Sequence, residues 1–274
     1  MLYLGMRISE KVSRADNQQE TRHGMGILRD YTSNTIKFSL KLATVIALLY
    51  TDGGVSKHGV RSWRIYFTNS SKVAIQLFVD SMVAVFGIAP ERIQVKKRYG
   101  THYLARVTSK EIGEYLVDTF GTFRTLVFDD KSYPSTRLPV DRIVKNNLVP
   151  EFLRVAFSMD GGVKFYSAKE VNGKSSLRKN ISLACHHPIL REQYCSLLKK
   201  LGIQAANVAS DCVVRIQGEK DVKMFAEKVG FIDGVEVTHH SKYWVGKKKN
   251  DVMNFMIQSY DNPSYFLKLF NGSR

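Results

Sequence analysis

Apolar residues recur along this chain at two spacings, and the whole pattern is written twice. From about Ser39 to Thr51, Leu42, Val45, Leu48 and Leu49 keep helical spacing behind Ser39, a natural N-cap. From Pro150 to Met159, Leu153, Ala156 and Phe157 do the same, with Pro150 suited to a first helical turn. Each run ends in a matching tetrapeptide, Asp52-Gly53-Gly54-Val55 and Asp160-Gly161-Gly162-Val163. The glycines are expected to supply the left-handed residue that closes a helix. Val60 to Thr68 and Leu177 to Cys185 then read as strands, each leading to a helix that closes on Phe86-Gly87-Ile88 or Leu201-Gly202-Ile203. Two further strands follow in each copy, ending in Leu104-Ala105-Arg106-Val107 and Val213-Val214-Arg215-Ile216. A last helix closes at Gly121 or Gly230.

This self-similarity predicts an α+β chain of two pseudo-symmetric αββαββα halves, each carrying an antiparallel sheet. The 274 residues suit two such halves. We place the first half at 36–128, a polar linker around Asp129 to Ser135 at 129–145, and the second half at 146–274. Residues 1–35, polar and weakly periodic, read as an N-terminal arm.

Alternation divides the strands into two faces. In 61–68, Trp63, Ile65 and Phe67 point toward helices, and Ser62, Arg64, Tyr66 and Thr68 point away. In 92–98, Ile93 and Val95 point in, while Arg92, Gln94, Lys96 and Arg98 point out. Arg106 points out between Ala105 and Val107. In the second half Val163, Phe165, Ile181, Leu183, Cys185, Val214 and Ile216 point in. Lys164, Tyr166, Arg178, Asn180, Ser182 and Arg215 point out. A half-solvated sheet accounts for polarity on that face, but not for its sign.

The sign is strongly positive. Lys and Arg number 41 against 25 Asp and Glu, a formal charge of +16. Nine bases and two acids fall in 55–106, and eight bases and three acids in 163–214, so the surplus gathers on the predicted sheets. A polyanionic partner explains that placement. The outward Arg, Lys, Gln, Asn, Ser and Tyr are the groups that contact phosphates and base edges.

Other chemistries fit less well. Cys185, Cys195 and Cys212 form no CxxC and are odd in number, which suits a reducing compartment rather than a disulfide framework. The longest apolar stretch, Leu42 to Tyr50, is far short of a membrane span. No secretion signal is read at the N-terminus. His186-His187 and His239-His240 lack the spacing of a zinc site and read as surface or phosphate-contacting histidines. Trp63 and Trp244 read as core aromatics. Lys247-Lys248-Lys249 reads as a solvated run with some prospect of touching a polyanion.

The two aspartates carry the sharper signal. A carboxylate at a helix C-terminus is unfavourable by about 0.3–1 kcal/mol. Two, at matched places, imply that positive charge is expected there. If an internal two-fold axis passes between the helices, Asp52 and Asp160 converge. A hard divalent ion with oxygen ligands, such as Mg²⁺, then relieves their repulsion and makes a site for phosphoryl chemistry.

The segments Val45-Ile46-Ala47-Leu48-Leu49-Tyr50-Thr51-Asp52-Gly53 and Leu153-Arg154-Val155-Ala156-Phe157-Ser158-Met159-Asp160-Gly161 resemble the two motifs of monomeric LAGLIDADG homing endonucleases, the archaeal intron-encoded type in particular. Order, spacing and repeat topology match from about Ser39 to Met256. The resemblance implies a site-specific double-strand DNA endonuclease, a monomer with internal pseudo-two-fold symmetry. The motif helices would pack centrally, and the sheets would form a saddle reading a long asymmetric DNA site through the major groove. Asp52 and Asp160 would bind divalent metal, with the carbonyls of Thr51 and Met159 as further ligands, for hydrolysis of both strands across the minor groove. Mg²⁺ or Mn²⁺ would support cutting, whereas Ca²⁺ would bind without supporting it. An intracellular setting, the cytoplasm or nucleoid of a prokaryote, is implied too.

The chain departs from the motif in places. The usually small third and seventh positions are Ala47 and Thr51 in one copy and Val155 and Met159 in the other, so close approach of the second helix falls to Ala156. Where the family often has Gln or Lys near the scissile phosphates, this chain has Asn69-Ser70 and Cys185-His186. A lysine near the start of the family's last helix can approach the active centre, which brings in the Lys247–Lys249 run. Both acids remain, which favours an active enzyme. An intron RNA maturase on the same fold and a non-cutting DNA-binding protein are the alternatives.

Overall fold

The computed structural model describes residues 36–59, 62–127, 132–171, 173–238, 241 and 243–272. The expected arm at 1–35, the linker residues 129–131, Arg61 and the His239-His240 pair lie outside the described residues.

Helix α1 (Leu40–Tyr50) is buried from Leu42 to Tyr50 on every side, as an all-round apolar helix must be. The Ser39 hydroxyl caps it, accepting from the Leu42 N–H at 3.3 Å. Strands β1 (Gly53–Lys57) and β2 (Trp63–Asn69), helix α2 (Lys72–Phe86), strands β3 (Gln94–Lys97) and β4 (Tyr103–Thr108) and helix α3 (Lys110–Phe120) complete the first repeat. A short helix α4 (Val140–Lys145) precedes α5 (Val149–Asp160), which has Pro150 in its first turn. Strands β5 (Gly161–Lys169) and β6 (Ser175–Ala184), helix α6 (Pro188–Lys200), strands β7 (Ala206–Val208) and β8 (Val213–Ile216) and helix α7 (Glu219–Lys228) repeat the order. Helices α8 (Lys249–Asp261) and α9 (Pro263–Gly272) follow.

The two sheets have one topology, β1-β2-β4-β3 and β5-β6-β8-β7, antiparallel throughout. Gly53 lies opposite Phe67 and Gly161 opposite Leu183, so Asn69 and Cys185 occupy matched places two residues farther on. Helices α1 and α5 pack against each other, joining the halves. Ala47 and Ala156 are both completely buried. The second half has an extra layer. Helices α8 and α9 pack on its sheet. Phe165 meets Trp244, Phe266 and Phe270 there with ring centroids 5.7, 5.5 and 5.0 Å away. Trp244 Nε1 donates to the Phe165 carbonyl at 2.6 Å, which gives its one polar atom a partner.

Three expectations need correction. The glycines after the aspartates are not left-handed. Gly53 and Gly161 instead open β1 and β5, and neither they nor Gly54 and Gly162 have positive φ. Glycine is required at two of them because backbones meet. A Cβ on Gly161 would lie 2.3 Å from the Phe157 carbonyl oxygen, and one on Gly53 2.8 Å from that of Tyr66. Val95 takes the register of buried Ala105 but is 48% exposed, because β3 is an uncovered edge strand. Arg92 is not in a strand: it ends a 3₁₀ turn, Pro90–Arg92, where Pro90 sets the entry.

Among the described residues, no helix is long and apolar enough to cross a membrane.

Candidate functional site

Residues of both halves line one cleft of about 590 Å³, including Asp52, Asn69 and His102 from the first and Asp160, Lys164, Ser182 and Lys249 from the second. Asp160 is the last residue of α5, and Asp52 lies just past the end of α1. The packing of these helices brings the two aspartates to a common opening.

Each carboxylate has a different neighbour. Asn69 Nδ2 donates to Asp52 Oδ2 at 2.6 Å and lies 3.7 Å from Met159 Sδ across the helix interface. The Asn69 Oδ1 accepts from the Ser71 N–H at 2.8 Å, which settles which way the amide points. Near Asp160 the partner is Lys249. It is only 6% exposed, and its Nζ donates to the carbonyls of Ser158 at 2.7 Å and Gly161 at 2.6 Å. It thus places positive charge on the C-terminal carbonyls of α5, where a helix dipole favours a cation. At α1 the equivalent cap is uncharged: Thr51 Oγ1 lies 3.1 Å from the carbonyls of Ala47 and Leu48.

Electrostatics follow from burial. Desolvation raises the Asp52 carboxyl, opposed by the Asn69 hydrogen bond and by the charges of Lys249 and His102. Desolvation, reinforced by the negative charge of Asp52, holds Asp160 well above the usual carboxylate range, with Lys249 opposing. Burial in turn lowers the Lys249 ammonium to about 8, against the pull of Asp160 and Asp52. Two half-buried acids therefore share a cleft with one buried base. The residues fit a divalent cation in their chemistry, since the acids present hard oxygen donors from two directions and are short of positive charge. Glu236 and His102 also line the cleft, but among the described residues no group of three or more His, Cys, Asp and Glu side chains is placed to hold a metal ion together.

No protein-family model matches the chain, and no curated protein does. Several solved structures are similar in fold. A mesophilic variant of the homing endonuclease I-DmoI shares 17% identity, covering 70% of this chain and 97% of that one at a TM-score of 0.46. I-DmoI in complex with DNA and Mn shares 16%, covering 70% and 96% at 0.44. The homing endonuclease I-WcaI bound to its DNA recognition sequence shares 17%, covering 76% and 89% at 0.46.

The outward residues distribute as follows. Arg64, Tyr66, Thr68 and Arg106 sit half-buried on one face of the first sheet, and Gln94, Lys96 and Arg98 are exposed at its edge. Ser62 is half-buried just before β2. In the second sheet Lys164, Tyr166 and Arg178 are exposed, and Asn180 and Arg215 are half-buried. Ser182 is a correction: it is 6% exposed, pressed between Gly162 and Arg215 in the ladder, so it lines the cleft rather than the open face. His187 is another. It is fully buried and caps α6, with Nδ1 accepting from the Leu190 N–H and Nε2 at 2.8 Å from the Pro134 carbonyl. Lys249 is a third, buried rather than solvated, whereas Lys248 pairs loosely with Asp233 at 3.4 Å. Cys185, matched to Asn69, turns its Sγ to the His187 carbonyl at 3.6 Å, and burial pushes its thiol up to about 12. His102, in the β3–β4 connection, was not singled out by the sequence, because a lone histidine beyond a strand carries no pattern.

Proposed function

We propose that this protein is a site-specific, divalent-metal-dependent endonuclease of double-stranded DNA. The observation that carries the reading is the meeting of Asp52 and Asp160, from matched helix ends, in one cleft beside Asn69 and Lys249. The doubled motif and the basic outward strands support it. Asp52 and Asp160 would hold the metal. When bound, a divalent ion polarises a phosphodiester and supplies an activated water at neutral pH. Asn69 fixes the Asp52 carboxylate by donating to one of its two oxygens. Lys249 keeps the end of α5 electrically tolerable for Asp160. The two outward strand faces would contact the DNA, and Lys164, a base that lines the same cleft as Asp160, would meet a phosphate there.

The direct test is digestion of a plasmid carrying the uninterrupted host gene of the parent intron. Cutting of both strands at one site in Mg²⁺, and none in EDTA, is expected. Binding should weaken by roughly a thousandfold or more between 50 and 200 mM salt, as for about six or more phosphate contacts, and a mobility-shift titration measures it. A nearly flat salt response would remove the electrostatic part of the reading. Structured RNA that resists displacement by duplex DNA would favour the maturase alternative.

Asn69→Ala should lower the cutting rate roughly 10- to 100-fold, the equivalent of a lost hydrogen bond to a charged group. Single-turnover cleavage at saturating enzyme checks this, and Asn69→Gln should recover part of the loss.

A further inference from the structure

The arginines on the two outward faces are held differently. In the second sheet Arg178 Nη2 lies 3.0 Å from Glu170 Oε1, and Arg215 pairs with Asp211, so this chain's own carboxylates already neutralise both. Arg64 and Arg106 of the first sheet, and Arg92 in the turn that leads into it, have no carboxylate ion pair among the described residues. They meet around a hollow of about 310 Å³ with His58, Glu91, Gln94 and Thr108, and Glu91 forms no ion pair with any of the three arginines. There Arg106 and Gln94 lie opposite each other in the ladder. Both Nε and Nη2 of Arg106 donate to Gln94 Oε1 at 3.0 Å. Those two nitrogens form the side-on edge of the guanidinium. The end-on edge, formed by Nη1 and the second N–H of Nη2, takes no part in that bracing, and because the partner is a neutral amide no ion pair offsets its charge. A guanidinium fork of that kind matches the O6 and N7 acceptors of guanine in the major groove.

Building on the proposed DNA-binding function, we propose that Arg106, braced by Gln94, reads a guanine in the half-site lying on the first sheet. A bracing residue removes rotamer freedom before binding, so less is lost on contact. Arg215, half-buried and neutralised, contributes less to base choice. The two half-sites are therefore read by unlike chemistry.

The test is selection from a randomised duplex library by the full chain in EDTA, where a metal-dependent enzyme does not cut. The wild-type pool is expected to hold a guanine at one position that becomes degenerate in the Arg106→Ala pool, with the other positions unchanged. Affinity for the selected duplex should fall roughly 5- to 150-fold in Arg106→Ala, and little for the duplex changed at that base. Gln94→Ala, which leaves the charge, should relax the same position in part. Both side chains point off the sheet, and circular dichroism confirms that the variants fold. A guanine retained in the Arg106→Ala pool, or a uniform loss across all sequences, overturns the inference while leaving the nuclease reading intact. A wild-type pool with no consensus defeats both. Failure of the selected duplex to be cut in Mg²⁺ defeats only the nuclease reading.

Discussion

Asp52→Asn and Asp160→Asn are each expected to lower double-strand cleavage by at least about a thousandfold, equivalent to about 4 kcal/mol of transition-state stabilisation. Asparagine keeps the shape of the side chain and removes the charge that would hold a cation. DNA affinity should be unchanged or slightly higher, since one negative charge beneath a polyanion disappears. Supercoiled plasmid assays distinguish loss of both cuts from loss of one, and a variant of either residue that still linearises the plasmid at the parent rate would sink the assignment. Stability should move the opposite way to activity. Burial, with the charge of Asp52, raises the Asp160 carboxyl in the folded protein well above the ordinary carboxylate range. The native state therefore keeps a proton that the unfolded chain releases above about pH 4, and stability falls as pH rises through that window. Asp160→Asn has no such proton, while Lys249 retains Asp52 and two carbonyls as partners. In EDTA the variant should be more stable than the parent at pH 7, with the gap closing below pH 4. Denaturant unfolding across that range measures it.

Gly161→Ala should be the most damaging single methyl in the described chain near the site. The added carbon would lie 2.3 Å from the Phe157 carbonyl oxygen and 2.9 Å from its carbon, both backbone atoms that cannot rotate away. Relief requires the α5-to-β5 corner to open, which moves Asp160 and strips Lys249 of the Gly161 carbonyl. A loss of about 3 kcal/mol is expected from such overpacking. At about 2–4 °C per kcal/mol, the melting temperature should fall roughly 6–12 °C. Cleavage should fall with it even at temperatures where the variant is folded. Gly162→Ala is the control: nothing lies within 4 Å of its added carbon, so stability should stay within about 0.5 kcal/mol. Equal effects at the two positions would refute the account of this corner.

How much of this was legible depended on whether the information was local. The repeat was, because the paired helices and strands carry their periods in consecutive residues, and the duplicated Asp-Gly-Gly-Val marks where each motif helix ends. The alternation in β2, β4 and β5 was too: Ile65, Phe67, Ala105, Val163 and Phe165 are all buried. It failed at Val95, where period two gives the correct side of the sheet but cannot say whether anything covers that side. It failed at Ser182, whose side chain is closed over by neighbours on other strands. The role of the glycines is not legible locally, because clashes with the Phe157 and Tyr66 carbonyls depend on how the corner and the ladder close. Lys249 illustrates the difference most clearly. In sequence it is the third lysine of a basic run. In space it is a buried cation 88 residues from the carbonyl it caps.

The linear chain, read alone, thus determined that there are two matched halves, which helices end in an acid, and on which strands the positive charge gathers. Periodicity and composition are properties of neighbours along the backbone, so they survive without coordinates. Only the folded molecule decided that Asp52 and Asp160 open into the same cleft, that Asn69 serves one and Lys249 the other, and that Gln94 aims Arg106. Each of those depends on packing two helices and registering strands far apart in the chain, and the energy of a buried charge is set by what surrounds it in three dimensions rather than by what adjoins it in sequence.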